Sequence, residues 1–559
     1  MTGKEFKDIR RLHISSKIEK IYFGKVVFPD LEEVIVDPAN QHFIVRDGML
    51  LNDNGKTLVR CMVCKGDSLV LSEKITCISS RAFYGTEFSK IIFPKSNFTV
   101  ENNAFECSKW EALQHGTIIV GDLFFKADTS NGTLVVPARV HKLHQSIIKS
   151  QELLHTVVCN TISQADGMID LLFNRKPRCL KILSPFSSLD EVILGQFDFL
   201  EELVITKNHE EYKTMDGVLY SKDGKKLVFY PMGKKNSEFC IPDGVERIVF
   251  ETFAGNNYLK SVVMPDSVKL ICADAFYKCI KLESVRLSAN LEEIADSYTQ
   301  DGGVFRKCTS LKSIVLPDKL KYLGKLAFYN TALSSIVLND QLEQIGDYAL
   351  LTDNLTKISI PSSVKRLGVC ALGNIKEVEV YEGTAKGFIF ALNDAVFSQM
   401  SKDVHTSFHN CQATVLHKNS GRKDVLFIPG RLNMNVLYQL DVIWNQEFFN
   451  SFEYENCLLK VVYFEELVQL ILLRLPYHNL NDNSKLVHTV RTRSFQIAEY
   501  LLLDGKESDF LSFLQYNFLS RDSLQKLLKA SIEKGLSVRS AYLMEQISKL
   551  TSSSNKFEL

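Results

Sequence analysis

The stretch from Met264 to Arg286, MPDSVKLICADAFYKCIKLESVR, decides the fold, because the chain repeats its pattern in both directions. The pattern reads apolar-Pro-x-x-Val-x-x-Ile-x-x-x-Ala-Phe-x-x-Cys-x-x-Leu-x-x-Val, and the next copy begins at Leu287, which gives a period of 23 residues. A period in the twenties is typical of stacked coils, in which each unit buries its apolar face against its neighbours. The sequence therefore predicts a solenoid.

The Leu-x-x-Val-x-Leu part of each copy alternates between inward and outward positions and ends at a proline. Because proline cannot donate to a ladder, this part predicts one short strand per unit, and stacking predicts one parallel sheet. The Val, Ile and Ala-Phe positions are expected to fill the interior. Other copies contain the pairs Ala82-Phe83, Thr252-Phe253, Ala327-Phe328, Ala349-Leu350 and Ala371-Leu372.

A small residue occupies the position three residues after the phenylalanine of the Ala-Phe pair. It is Cys279 in the quoted copy and Cys308 in the next, and Asn256 or Thr331 replaces it elsewhere. A buried free cysteine usually behaves as a small apolar residue, so we expect this position to be interior packing and not a catalytic or metal site.

Two segments interrupt the period in the same way. In each, an Asp-Gly pair, Asp47-Gly48 or Asp216-Gly217, begins an alternating run that a second glycine turn separates from another run. This pattern predicts β-hairpins near residues 37–62 and 206–231. Related segments predict further hairpins near 118–137 and 412–429.

Repeats and hairpins together resemble the BspA-type leucine-rich repeat family over about residues 12–430. The resemblance implies a β-rich solenoid domain over residues 1–430, with its parallel sheet on the concave face. It also implies a surface-adhesin or protein-interaction role, without a shared chemistry. Within this region, residues 160–188 and the polar insertion at 295–303 fit the register poorly and are expected to be loops on the rim.

After Pro429-Gly430 the apolar residues recur at three- and four-residue steps, which predicts a small all-α domain over residues 431–559 and an α+β chain overall. Amphipathic helices are expected at 486–503, 523–534 and 538–550, with stops at Gly505 and Gly535. Weak internal likeness leaves two interpretations open: ankyrin-like helix pairs that bind a partner, or a cap over the end of the solenoid.

The charge balance excludes some partners. Lys+Arg and Asp+Glu each total 66, so the chain has no net field to attract nucleic acid or an anionic membrane. The polar N-terminal residues Met1–Arg11 lack the apolar stretch of a secretory signal, and 13 scattered cysteines do not resemble a disulfide framework. These features predict a cytoplasmic protein and count against an exported adhesin.

Neither a metal nor a cofactor site is predicted. Cys61-x-x-Cys64 has no second pair to complete four ligands. The groups His141/His144/His155/Cys159 and His405/His409/Cys411/His417 match no ligand spacing, and the repeat register predicts Val140 and Leu143 inside with His141 and His144 facing solvent. The common phosphate-loop, dinucleotide, zinc-protease and hydrolase motifs do not occur in the sequence.

The sequence thus favours a non-enzymatic scaffold that binds a protein partner through its concave sheet. The outward strand positions expected to form the contact column are Val263, Arg286, Val315, Val337, Ser359 and Glu379. The valines could equally serve β propensity alone. Two alternatives stay open: an adhesin exported by an unrecognised route, and an enzyme whose site lies in the helical region. The sequence names neither the partner nor an oligomeric state.

Overall fold

The computed structural model describes residues 4–6, 8–23, 26–28, 30–62, 66–185, 193–297, 299, 301–381, 385–393, 411–430, 432, 434–446, 451–481 and 484–554. The chain forms two units, Met1–Ser237 with Glu251–Leu259, and Glu238–Phe250 with Lys260–Leu559. Both are built from stacked coils, and the second also carries the C-terminal helices. The predicted solenoid and helical region are confirmed, while the predicted division at residue 430 stays a prediction.

The predicted strand of each coil is present, and we call the resulting parallel array the first ladder. Its register pairs equivalent positions of successive coils, as in Val262 with Val285 and Ile314 with Ile336. In the first unit its strands are Arg11–Ile14, Glu33–Val36, Ser68–Val70, Lys90–Ile92, Thr133–Val135, Thr156–Cys159, Cys179–Ile182 and Glu202–Ile205. In the second unit they are Glu238–Cys240, Ser261–Val263, Ser284–Arg286, Ser313–Val315, Ser335–Val337, Lys357–Ser359 and Glu377–Val380.

The prediction of one strand per coil is wrong, because most coils carry a second, two-residue strand. These strands form a separate parallel array, the second ladder. In the second unit they are Arg247–Ile248, Leu270–Ile271, Glu293–Ile294, Tyr322–Leu323, Gln344–Ile345 and Arg366–Leu367, and in the first unit Cys77–Ile78, Thr99–Val100 and Lys142–Leu143. The buried apolar residue of the Val-x-x-Ile step holds the same backbone N–H and C=O groups in the same place in every coil. These groups form hydrogen bonds with those of the next coil. A two-residue strand has no alternation that a sequence pattern could show.

Aromatic rings stack through the core at the coil corners. In the second unit the rings of Phe276 and Phe305 lie 5.0 Å apart and those of Phe305 and Phe328 5.2 Å apart, all fully buried. Cys279 and Cys308 are buried beside them, as predicted for a small interior residue. At Thr331 the hydroxyl that replaces this cysteine donates to the Phe328 carbonyl at 2.9 Å, so its polarity is satisfied locally.

Hairpins branch from the coils where the period breaks. The strands of the two similar ones are Phe43–Arg46, Met49–Asn52 and Thr57–Cys61, and Tyr212–Met215, Val218–Ser221 and Lys226–Phe229. Their turn pairs Asp47-Gly48 and Asp216-Gly217 have positive φ at both residues, as a type I′ turn requires. The last hairpin, Cys411–His417 with Lys423–Ile428, is also confirmed.

The hairpin predicted over residues 118–137 is shorter than expected. Only Ile118–Val120 and Leu123–Lys126 pair in antiparallel fashion. The segment Thr133–Val135 pairs in parallel with Thr156–Cys159, so it is a strand of the first ladder. The alternation of its apolar residues fits a hairpin strand and a parallel ladder strand equally well. Only the strand with which it pairs distinguishes the two.

The two stretches expected to be rim loops are parts of coils. Within 160–185 the helix Met168–Arg175 replaces the Ala-Phe corner and buries Met168, Leu171 and Leu172. At the end of the insertion at 295–303, the Gly303 N–H donates to the buried carboxylate of Asp274 in the preceding coil. The loop prediction for the first stretch failed because the helix Met168–Arg175 buries apolar residues as other corners do, although its sequence does not match the repeat consensus.

The helices confirm the predicted change of periodicity. Glycine stops are confirmed as well, since Gly535 has a φ of 69° after its helix and Gly505 follows the last turn of another. The shorter helices among the coils are Lys109–Leu113, Gln145–Ile148, Met168–Arg175 and Phe388–Leu392. The C-terminal ones are Met434–Trp444, Ser451–Leu458, Phe464–Arg474, Lys485–Leu503, Glu507–Leu514, Arg521–Glu533 and Ser537–Ser554.

Candidate functional site

The outward positions of the first ladder form the candidate interaction surface. In each strand of the second unit the middle residue points into the core, as Val262, Ile314 and Ile336 do. The residues on either side of it point outward, because side chains alternate along a strand. Each strand therefore contributes two outward side chains, and stacking arranges them in two columns.

The column that carries Val263, Arg286, Val315, Val337, Ser359 and Glu379 is called the valine column. Register pairs Val263 with Arg286, Val315 with Val337, and Ser359 with Glu379. The structure joins these residues in three pairs, and the continuous column and its role in binding stay predictions. Val315 is 79% exposed and Val337 is 74% exposed, whereas Val263, Ser359 and Glu379 are half-buried.

The neighbouring outward column carries serines, and we call it the serine column. It contains Ser261 opposite Ser284 and Ser313 opposite Ser335. Because serine side chains are short, the surface beside Val315 and Val337 lies lower than the valines. A partner can therefore contact the methyl groups without a bulky side chain in its way.

Charge is distributed unevenly along the valine column. At one end Glu379 is held by Lys357 at 3.4 Å and Lys418 at 3.6 Å, so its charge is already balanced. Arg286 is exposed and takes part in no ion pair with any residue that the structure describes. The apolar part of the column thus contains one unbalanced positive charge.

The same outward position is apolar in the first unit, which the sequence reasoning missed. Val70 is exposed and pairs with exposed Ile92, and exposed Val135 pairs with Val158. The signal was present, because Ile92 and Val135 follow the buried residue of their strand, as Val315 does, and Val70 follows half-buried Leu69. It was overlooked because the repeats of this unit are less regular.

The cysteine and histidine groups do not assemble into sites. Cys61 is buried at the end of a hairpin strand, and Cys64 lies outside the described residues. His405 and His409 also lie outside them, while the remaining histidine of that group, His417, binds Asp424 at 2.8 Å. Within the described part of the chain, no three His, Cys, Asp or Glu side chains are placed to hold a metal ion.

One histidine prediction is wrong. Val140 and Leu143 are buried and His141 is exposed, as expected, but His144 is buried. Its ring packs 4.5 Å from that of Phe125, and its Nδ1 accepts the Ser146 N–H at the start of the helix Gln145–Ile148. The repeat pattern placed this residue outside because it could not show that a helix replaces the corner here. Burial lowers the pKa of His144 below its ordinary value.

The helical region contains a Ser-His-Glu arrangement, which bears on the enzyme alternative. Ser484 Oγ lies 3.2 Å from His478 Nδ1, and His478 Nε2 lies 2.8 Å from Glu455 Oε2. In serine hydrolases the opposite nitrogens face the serine and the acid. Here Ser484 accepts the Val487 N–H as a helix N-cap, and Glu455 also binds Arg474, with Glu455 and His478 almost fully buried. The arrangement is that of a buried structural network.

A groove of about 480 Å³ lies in the first unit beside the hairpin that begins at Ile118. The basic residues Lys95, Arg139 and His141 line it and are exposed. Its carboxylate, Asp122, accepts the Val100 N–H at 2.8 Å and lies 3.7 Å from Lys142. Thr76, Ser96 and Thr99 also line the groove, and no hydrogen bond joins His141 to a hydroxyl of these three described residues.

The first C-terminal helices cover the last coil. Trp444 stacks on Phe388 with ring centroids 4.5 Å apart, and the Asp441 carboxylate accepts the N–H groups of Gly387 and Ile389 at 3.0 Å each. Arg474 donates to the Val425 carbonyl at 3.2 Å. These contacts bury apolar surface and satisfy backbone groups at the end of the ladder, which is the role of a cap. The ankyrin-like interpretation stays a prediction.

Comparison with known families gives one match. Six copies of the model described as a BspA type leucine rich repeat region match residues 61–168, 226–301 and 301–402. No curated protein matches the chain. None of the helices that the structure describes is long and apolar enough to cross a membrane.

Several solved structures are similar. The pneumococcal vaccine antigen PcpA is 20% identical, with 70% of this chain and 82% of that chain covered and a TM-score of 0.27. A leucine-rich repeat protein from Eubacterium ventriosum is 16% identical, with 66% and 91% covered and a TM-score of 0.29. A leucine rich repeat protein from T. pallidum is 26% identical, with 34% and 92% covered and a TM-score of 0.27.

Proposed function

Because this chain belongs to the BspA-type leucine-rich repeat family, which points to a protein-interaction or surface-protein role, we propose that it is a scaffold that binds a protein partner through the valine column. The observation that carries the proposal is the pair Val315 and Val337. They are neighbours in the ladder, and about three-quarters of each residue's surface is exposed to solvent. Two adjacent exposed valines gain free energy when a partner removes them from water.

The proposal assigns no reaction to the chain. Its family and fold are those of repeat proteins that are generally not enzymes. The buried Ser484–His478–Glu455 network and the groove near Asp122 supply no accessible nucleophile with a base in the expected geometry. Partner binding accounts for the exposed valines and the uncovered ladder face without any chemical step.

A double substitution tests the proposal. Val315→Asp with Val337→Asp places two charges in the centre of the surface, where burial of an unpaired charge opposes binding. Gln341→Asp with Gln344→Asp is the matched control, since it adds the same charge at exposed positions outside the first ladder. We expect affinity capture by the valine variant to lose at least about nine-tenths of the partner, the effect of a loss of ~1.4 kcal/mol.

Both variants should elute and unfold as the unaltered protein does, because all four positions are exposed. If the valine variant captures its partner as well as the control does, the valine column is not the binding surface and the proposal fails.

The cytoplasm is the proposed location, and a surface adhesin is the alternative that the same family leaves open. Cell fractionation with protease treatment of intact cells separates them. We expect the protein in the soluble interior fraction, protected from protease. Recovery on the cell surface, with digestion in intact cells, would favour the adhesin.

A further inference from the structure

We infer that the partner element bound on the valine column is an amphipathic α-helix that lies across the strands and directs an acidic side chain at Arg286. This inference rests on the proposed function and specifies the partner's structure. Three observations carry it: the close packing of the ladder strands, the spacing of the outward side chains, and the unbalanced charge at Arg286.

The backbone of the ladder leaves no place for an added strand on this face. Ser313–Val315 pairs with Ser335–Val337, and these two strands lie against Ser284–Arg286 on one side and Lys357–Ser359 on the other. A peptide cannot enter between strands that already have a neighbour on both sides, so it must lie on top of the side chains. A segment in that position has to satisfy its own N–H and C=O groups, and a helix does so internally.

The spacing of the column also favours a helix. Hydrogen-bonded strands lie about 4.8 Å apart, so Val337 and Val315 offer side chains at about that interval, and Arg286 follows on the next strand of the stack. A helix laid across the strands presents one side chain per turn, about every 5.4 Å. An extended segment presents one on the same side only every ~6.7 Å and falls out of step after two contacts.

The shape of the surface admits a cylinder. The serine column runs beside the valine column, two residues away on each strand, and its side chains are short. A helix about 10 Å across covers both columns. Its apolar residues then contact Val315 and Val337, while small or polar residues lie over Ser313 and Ser335.

Charge fixes the chemistry of the helix. Arg286 is exposed, belongs to the strand next to Ser313–Val315, and forms no ion pair with a described residue. An acidic side chain on the apolar face of the helix, about two turns from the residue on Val337, would pair with it. The other end of the column needs no such partner, because Lys357 and Lys418 already balance Glu379.

The test uses a designed probe with the full-length protein. The probe is an alanine-rich peptide of about 20 residues that carries leucine, leucine, glutamate and leucine at i, i+4, i+7 and i+11. A control peptide has the same composition with the leucines at alternating positions. Methyl NMR of the valine-labelled protein reports contact at Val315 and Val337.

We expect the helical peptide to shift the methyl signals of Val315 and Val337, and the control peptide to leave them unchanged. Arg286→Glu should weaken binding of the helical peptide roughly two- to fivefold, as an exposed ion pair allows. A peptide with lysine in place of the glutamate should recover that loss on the Arg286→Glu variant.

Equal shifts with both peptides, or none with either, would overturn the helix inference. A charge exchange without effect would overturn the assignment of Arg286. The capture experiment tests the proposed function separately. If the valine variant loses its partner but neither peptide shifts the methyl signals, the binding surface is retained and only the helix inference is rejected.

Discussion

The residue two positions before a buried corner phenylalanine has a positive φ, which turns the coil. Arg81, Glu251, Asp274, Leu326 and others hold this conformation, and so does the residue four positions later, such as Lys278 or Asn330. Non-glycine residues pay about 1–2 kcal/mol for it, so the corners store strain that packing of the Phe column offsets. Glycine holds these positions only in some coils, as Gly85 and Gly255 do, so the repeat consensus does not show this conformation.

Lys278→Gly is expected to stabilise the protein by about 0.5–1 kcal/mol, because glycine adopts the φ of 59° without the steric cost. Lys278 is exposed, and its N–H bond to the Arg306 carbonyl is kept in the variant. A rise of the thermal unfolding midpoint measures the effect. Lys278→Ala is the control, since alanine keeps the strain, and an equal rise with alanine would show that backbone conformation is not the cause.

The stability of the first unit depends on pH through His144. Its buried ring accepts the Ser146 N–H, which requires an unprotonated Nδ1, and burial lowers its pKa below the ordinary 6.5. The unfolded chain therefore binds the proton first as pH falls. The stability that His144 contributes is present above about pH 6.5 and is lost as pH falls below that value toward the lowered pKa of the folded state.

The free energy of unfolding of the His144→Asn variant should therefore change less between about pH 7 and pH 5 than that of the unaltered protein. Asparagine keeps an acceptor for the helix N-terminus without titrating. Denaturant unfolding at the two pH values measures the difference. His155→Asn, at an exposed histidine, is the control, and an identical pH dependence in all three proteins would contradict the role of His144.

At the scale of elements, prediction succeeded where a pattern spans several residues. The first-ladder strands followed from the alternation around Val285 and Ile314, and the hairpins followed from Asp47-Gly48 and Asp216-Gly217. The second ladder was missed because its strands have two residues. The corner helix Met168–Arg175 was missed because tertiary context, not consensus, keeps that coil in the stack.

The candidate site was predictable in position and only partly in character. The column from Val263 to Glu379 followed from counting residues past each buried strand position. The exposure of Val315 and Val337, and the pairing of Glu379 with Lys357 and Lys418, depend on which side chains of neighbouring coils reach the same place. One sequence period does not contain that information, since it describes a coil and not the stack.

At the scale of the whole chain, stacked coils imply that a local defect stays local. Each coil bonds its backbone to adjacent coils, as Ile271 does to Ile248 and Ile294 in the second ladder. Stability is then close to a sum of nearest-neighbour terms, and separate regions open with separate free energies. The helical cap enters this sum as the neighbour of the last coil, through Trp444 and Asp441.

The two tryptophans of the chain, one in each unit, allow a matched test of this locality. Trp444→Ala removes the ring stacked on Phe388, and Trp110→Ala removes the ring packed 4.5 Å from Phe105, each at a cost of about 3–5 kcal/mol. Hydrogen exchange should accelerate in Cys411–His417 and Lys423–Ile428 for the first variant only, and in Cys77–Ile78 and Thr99–Val100 for the second only. Faster exchange throughout the chain in either variant would mean that the coils unfold as one block, and the nearest-neighbour account would then be wrong.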